Sequence, residues 1–142
     1  MKFKLPRLEL SLDLAEEWVV DETDPKATDT YGFYLRSVQH GVFLNVRAED
    51  PAGHTLTKDG LLAILRQQSW ASAPFDEWTL AEGAIIAIGG TFETVGMGGE
   101  VVLEVFATDG QRLVNLVGPG ERKVIAALVP SVKRLVEKLR LS

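Results

Sequence analysis

Cysteine is absent from the 142 residues. That excludes disulfides, thiolate nucleophiles, zinc ribbons and cluster ligation together, and it fits a reducing compartment. Histidine is almost as scarce. His40 and His54 are the two, both fall in expected turns, and they lack the spacing of a metal motif, so solvated turn residues are the expectation. There is no Gly-x-Ser-x-Gly elbow, no His-Glu-x-x-His and no Ser-Lys frame, which leaves nucleophilic catalysis without sequence support. No apolar run is long enough for a membrane span, and Met1-Lys2-Phe3-Lys4-Leu5-Pro6 lacks a signal-peptide core. The expectation is a cytoplasmic protein that avoids membranes and carries no cofactor or metal.

Positive charge is missing from one stretch in particular. Residues 71–120 hold one basic side chain, Arg112, against seven acidic ones, whereas residues 121–142 hold six basic and two acidic within a net charge of −5. An acidic body argues against nucleic-acid binding, whose affinity comes mostly from cations set against phosphates. It favours a basic partner for residues 71–120. The C-terminal cations Lys133, Arg134, Lys138 and Arg140 read as the outer, solvated face of a helix, placed where its dipole suits them.

What is present is enough for one domain. A chain of this length buries about two-thirds of its unfolded surface and needs no metal or crosslink to hold a core; 46% of it is apolar. Phe3, Leu5, Leu8, Leu10, Leu12 and Leu14 follow the period of a half-buried strand, with Pro6 marking an edge or a strand start. A short strand is expected at Trp18–Val20, then an exposed acidic loop at Asp21–Thr30 that lacks the spacing of a calcium site. Tyr31–Val38 and Val42–Ala48 form a hairpin about Gln39-His40-Gly41, with Val42, Leu44, Val46 and Ala48 on one face.

Thr57 offers an N-cap oxygen to a helix over Lys58–Ser69. Strands follow at Asp76–Leu80, Ala84–Thr94, Glu100–Thr108 and Arg112–Val117, with turns at Glu82-Gly83, Gly96-Met97-Gly98-Gly99 and Asp109-Gly110. Gly89-Gly90 inside a strand signals a bulge, a bend or a close approach. Gly118-Pro119-Gly120 reads as turn and cap chemistry ahead of a closing helix over Glu121–Leu139. There Val124, Leu128, Val132, Leu135 and Leu139 form one stripe, and Pro130 predicts a kink or two shorter helices. The fold class is α+β: a single antiparallel twisted sheet with two helices packed on it, the C-terminal helix closing the domain.

Aromatics supply the candidate site. Trp18, Trp70 and Trp78 sit at element boundaries, and Phe75 lies between the last two. Such rings either pack where a helix leaves a sheet or anchor a partner. If one surface binds, it is Trp70, Phe75 and Trp78 together with Met97 and Gly98 of the glycine turn.

The opening Leu8-Glu9-Leu10-Ser11-Leu12-Asp13-Leu14-Ala15-Glu16-Glu17-Trp18 resembles the strand, acidic turn and Trp with which members of the PsbP-like superfamily begin. The later order is similar too: a hairpin, a helix such as Thr57–Trp70, antiparallel strands ending in Phe106-Ala107-Thr108-Asp109-Gly110, and a final helix. The superfamily includes the PsbP subunit of photosystem II, Ran-binding transport factors, the lipoprotein LpqN and the Eag effector chaperones. The resemblance implies a sheet-and-helix domain that binds other proteins and has no shared catalytic residue. The lipid-attachment cysteine of the lipoprotein branch is missing here. The expected function is a non-catalytic protein-binding module, monomeric or homodimeric, its sharpest form a cytosolic immunity protein or effector chaperone. A carrier of an apolar small molecule is the alternative, and an enzyme working with Asp or Glu alone comes third.

Overall fold

The computed structural model describes residues 2–5, 10–13, 16–21, 33–49, 56–68, 70, 72–94, 99–138 and 140–141. The first apolar run is two strands rather than one: β1 (Lys2–Leu5) and β2 (Leu10–Asp13) pair antiparallel, Leu5 opposite Leu10, on either side of Pro6. Proline has no N–H for a ladder, and alternation that resumes after a hairpin is indistinguishable in sequence from one continuous strand. A short β10 (Arg140–Leu141) joins β2, making a three-stranded sheet in addition to the main one.

The main sheet contains β3 (Trp18–Asp21), β4 (Phe33–Ser37), β5 (Phe43–Glu49), β6 (Phe75–Glu82), β7 (Ile85–Glu93), β8 (Glu100–Thr108) and β9 (Leu113–Glu121). Their order is β3-β4-β5-β9-β8-β7-β6, antiparallel throughout. Two meanders, β3–β5 and β6–β9, therefore meet at a single seam between β5 and β9. The α+β class, its antiparallel sheet and its two helices are as the sequence implies. Residues of the expected acidic loop beyond Asp21, together with His54, lie outside the described residues.

The helices occupy opposite faces. α1 (Lys58–Arg66) starts where Thr57 Oγ1 accepts the Gly60 N–H at 3.2 Å, and it buries Leu61, Ile64 and Leu65 against Ile88, Phe92, Phe106 and Leu113. It stops three residues short of Ser69, where the Gln68 side-chain amide donates to the Ile64 carbonyl and replaces the next helical hydrogen bond. α2 (Arg122–Glu137) covers the other face with Ile125, Leu128, Val132, Leu135 and Val136. Ile125 and Val136 take the stripe positions expected of Val124 and Leu139; Val124 is half-buried, and Leu139 lies outside the described residues. Pro130 does not divide this helix. Both Pro130 and Ala126, whose carbonyl loses its helical partner, are exposed, so water can satisfy the freed oxygen.

Gly118-Pro119-Gly120 is strand, not turn: Leu103, Val102 and Val101 face these residues in the ladder. A Cβ at Gly118 would stand 2.5 Å from the Phe43 carbonyl oxygen, so glycine is what lets β9 lie against the start of β5.

Candidate functional site

A groove of about 330 Å³, open to solvent along one side, runs between α2 and the edge strand β6. Its position follows from two local irregularities. Phe75 faces Thr91 and Trp78 faces Gly89, which leaves Asp76 and Glu77 on β6 against Gly90 alone on β7 and defines a bulge. Within it Asp76 takes φ 51°, a left-handed conformation uncommon outside glycine that Asp tolerates better than most residues. The bulge turns Phe75 and Trp78 to the α2 face.

Gly89 then provides the seat for Trp78. A Cβ there would fall 2.2 Å from the indole ring, so the ring lies directly on the β7 backbone. The close approach expected at the glycine pair is thus made by side chains, with Leu65 and Pro74 packed on Gly90 from the other face.

Two cations from α2 overhang the aromatic pair. Arg122 Cζ is 4.6 Å from the Phe75 centroid, and Lys133 Nζ is 5.3 Å from the Trp78 centroid, both within cation–π range. They differ in what else they meet. Arg122 is neutralised by Glu93 at 2.6 Å, whereas Lys133 has no carboxylate partner among the described residues. The Trp78 indole Nε1 is buried and has no hydrogen-bond acceptor among the described residues. Apolar Ile125, Ala126 and Val129 line the α2 wall.

The five residues singled out from sequence do not form one surface. Phe75 and Trp78 share the groove, while Trp70 lies on the opposite face, its ring 6.1 Å from that of Phe92 and its Nε1 donating to Glu104 Oε1 at 3.2 Å. Met97 and Gly98 lie outside the described residues. Lys133 and Arg134 are not simply a solvated helix face. Lys133 sits on Trp78, and Arg134 holds Glu17 across the fold, its Nε 3.0 Å from Oε2.

Alternation alone did not expose the most buried charge among the described residues. Glu104 is 3% exposed, fixed by Trp70 and by Asn115, whose Nδ2 donates to Oε2 at 3.3 Å while Arg47 donates to Asn115 Oδ1. Its side chain is engaged on the α1 face, away from the groove. The acidic surplus of residues 71–120 is also largely engaged: Glu77 takes two 3.1 Å hydrogen bonds from Arg66, Glu93 pairs with Arg122, and Asp109 Oδ1 accepts the Gln111 and Arg112 N–H groups.

A bare half-sheet accompanies this. Five large hydrophobic side chains are exposed among the described residues, and four of them, Val19, Tyr34, Val38 and Phe43, belong to β3–β5 or the turn between β4 and β5. Val19, Arg36 and Phe43 form one row across three strands, on the face that α1 leaves uncovered. Placing Val42, Leu44 and Val46 inward already implied that Phe43 faces out.

At the far end of α2, Ser131 Oγ donates to Glu17 Oε1 at 2.9 Å beside Arg134, and Glu17, Ser37 and Ser131 line a small pocket of about 150 Å³. The hydrogen bonds from the Arg134 guanidinium hold the Glu17 carboxyl below the usual carboxylate range, against the opposing pull of burial, with Ser131 and the charge of Lys138 assisting.

A seven-stranded antiparallel sheet between two helices, the second of them closing the domain, is the PsbP-like fold. No family model and no curated protein matches the sequence. Among solved structures the chain is similar to cyanobacterial PsbP (CyanoP) from Synechocystis sp. PCC 6803, at TM-score 0.61 and 10% identity, over 100% of this chain and 92% of that one. At that identity the likeness is one of fold.

Proposed function

We propose that the chain is a non-catalytic protein-binding module that receives a segment of its partner in the groove between β6 and α2. An immunity protein or an effector chaperone is the sharpest form of this reading, and a cytoplasmic setting suits a chain without cysteine. The carrying observation is the placement of Phe75 and Trp78. Two large rings held at the open edge of a sheet by a bulge and a glycine seat offer the rigid anchor surface that interfaces favour. Strand addition to β6 itself is the less favoured mode, because the bulge and the charges of Asp76, Glu77 and Glu82 blunt that edge.

The groove's volume also suits a small ligand, at the lower end of the range for such pockets, and this supports the carrier as the second reading. The deciding experiment is capture from the source organism's lysate, quantified by mass spectrometry, with Trp78→Ala, Phe75→Ala and Phe43→Ala variants verified to be folded. Loss of one defined partner in the first two but not the third supports the groove. Loss only in Phe43→Ala moves the surface to the bare half-sheet. No protein captured, with a small molecule retained by the purified chain in native mass spectrometry, puts the carrier first.

A further inference from the structure

We infer that the polar chain Arg47–Asn115–Glu104 is a register lock, the device that selects one pairing of β5 with β9 from those the apolar pattern allows. A hairpin takes its register from its turn and loop. The seam has no such guide, because Arg47 and Asn115 are 68 residues apart in the chain, whereas every other neighbouring pair in the main sheet is consecutive. Side chains must choose its register.

Alternation fixes the face that each residue takes, yet a slip of two residues leaves every side chain on its own face. Apolar pairing does not forbid that slip. On the α2 side Val46 faces Leu116 and Ala48 faces Val114; a slip of about 7 Å along the strand would set Leu44 against Leu116 and Val46 against Val114, pairs at least as apolar. On the other side it would bring Phe43 opposite Val117. Gly118 does not decide between the two registers, since a residue without a side chain permits a close approach and enforces none. The Glu17–Arg134 pair also ties this meander to α2, but it is partly exposed and weak beside a buried charge.

The polar chain does discriminate. Arg47 lies opposite Asn115 and donates to its Oδ1 at 3.4 Å, while Asn115 Nδ2 donates to Glu104 Oε2 at 3.3 Å and to the Val105 carbonyl at 3.2 Å. Trp70 Nε1 completes the chain on Glu104 Oε1. Asn115 and Glu104 are both buried, so the slip would take Arg47 away from an amide that has little access to water and set it opposite Leu113, in the cluster under α1. A buried polar group can select a register at a cost in stability, as one Asn does in a coiled coil. The lock thereby also fixes where the bare face of β3–β5 stands relative to the groove.

The test moves the lock. In Asn45→Arg/Arg47→Leu the guanidinium sits two residues earlier, where only the slipped register places it opposite Asn115 and an aliphatic side chain opposite Leu113. Cross-strand backbone NOEs in the isotope-labelled full chain report the pairing. Contacts Val46–Val114 and Leu44–Leu116 are expected to replace Val46–Leu116 and Ala48–Val114. In Arg47→Leu/Glu104→Leu/Asn115→Leu, which removes both charges of the lock together, the chain is expected to stay folded and to show both sets, the slipped one at about a tenth of the total intensity or more. The original contacts alone in both variants overturn the inference, since packing then sets the register unaided. Unfolding of the apolar variant overturns it as well, because the polar chain is then required for stability rather than for selection.

Discussion

The two meanders of the sheet are built from the same kind of strand and end in opposite conditions. In β6–β9 the inner strands lie between α1 and α2, and β8 buries every residue from Val101 to Thr108. In β3–β5 one face joins the core cluster that includes the α2 side chains, so Leu35, Leu44 and Val46 are buried while Tyr34 and Phe43 are about 40% exposed. A strand's burial is set by its neighbours, not by its own hydrophobicity. An aromatic ring on the α1 face is core in one meander and surface in the other.

That comparison can be tested directly. Phe92→Ala in the covered half is expected to cost about 3–5 kcal/mol, and Phe43→Ala on the same sheet face under about 1 kcal/mol, in urea unfolding monitored by circular dichroism. Similar costs for both would mean that the β3–β5 face is covered after all. Gly118→Ala attacks the seam between the halves. The new methyl meets the Phe43 backbone, which cannot rotate away, and a loss of about 1–3 kcal/mol is expected, carried by a lower urea midpoint.

The smallest effect lies where the N-terminal edge of the bare half is tied to α2. Glu17 is lowered in the folded state from an ordinary value near 4.5, so its contribution is present above that value and disappears as pH falls through the lower folded one. The stability difference between the protein and Glu17→Gln should be constant near neutrality and shrink below about pH 4.5. A difference that persists unchanged at pH 2 would remove the carboxylate from the account.

The sequence makes the strands and helices legible because their signals are local: Thr57 before a helical stripe, Asp109-Gly110 between two apolar runs, Gly83 and Gly110 at positive φ in the turns. It conceals what depends on pairing. Gly118-Pro119-Gly120 has turn composition, yet the backbone of Phe43, 75 residues away in the chain, makes the glycine a packing requirement. The site was legible by half. Phe75 and Trp78 were visible as boundary aromatics, but the bulge that aligns them, the glycine that seats one of them and the α2 cations above them arise from elements separated in sequence. Trp70 has the same composition signal, and its position on the other face follows only from contact with Phe92 and Glu104.

Within the seven-stranded sheet, each neighbouring pair except β5 with β9 is also consecutive in the chain. Apart from β3–β4, whose connection spans residues 22–32, the hairpins close over loops of two to six residues, in about 1–10 μs each. The seam joins residues 45–49 to 113–117, and a closure of that span carries an entropic cost of about 4 kcal/mol before any contact repays it. The pairing of the two meanders is thus the expected slow step in acquiring this fold. Its barrier belongs to β5 and β9, whatever the stability of the hairpins on either side.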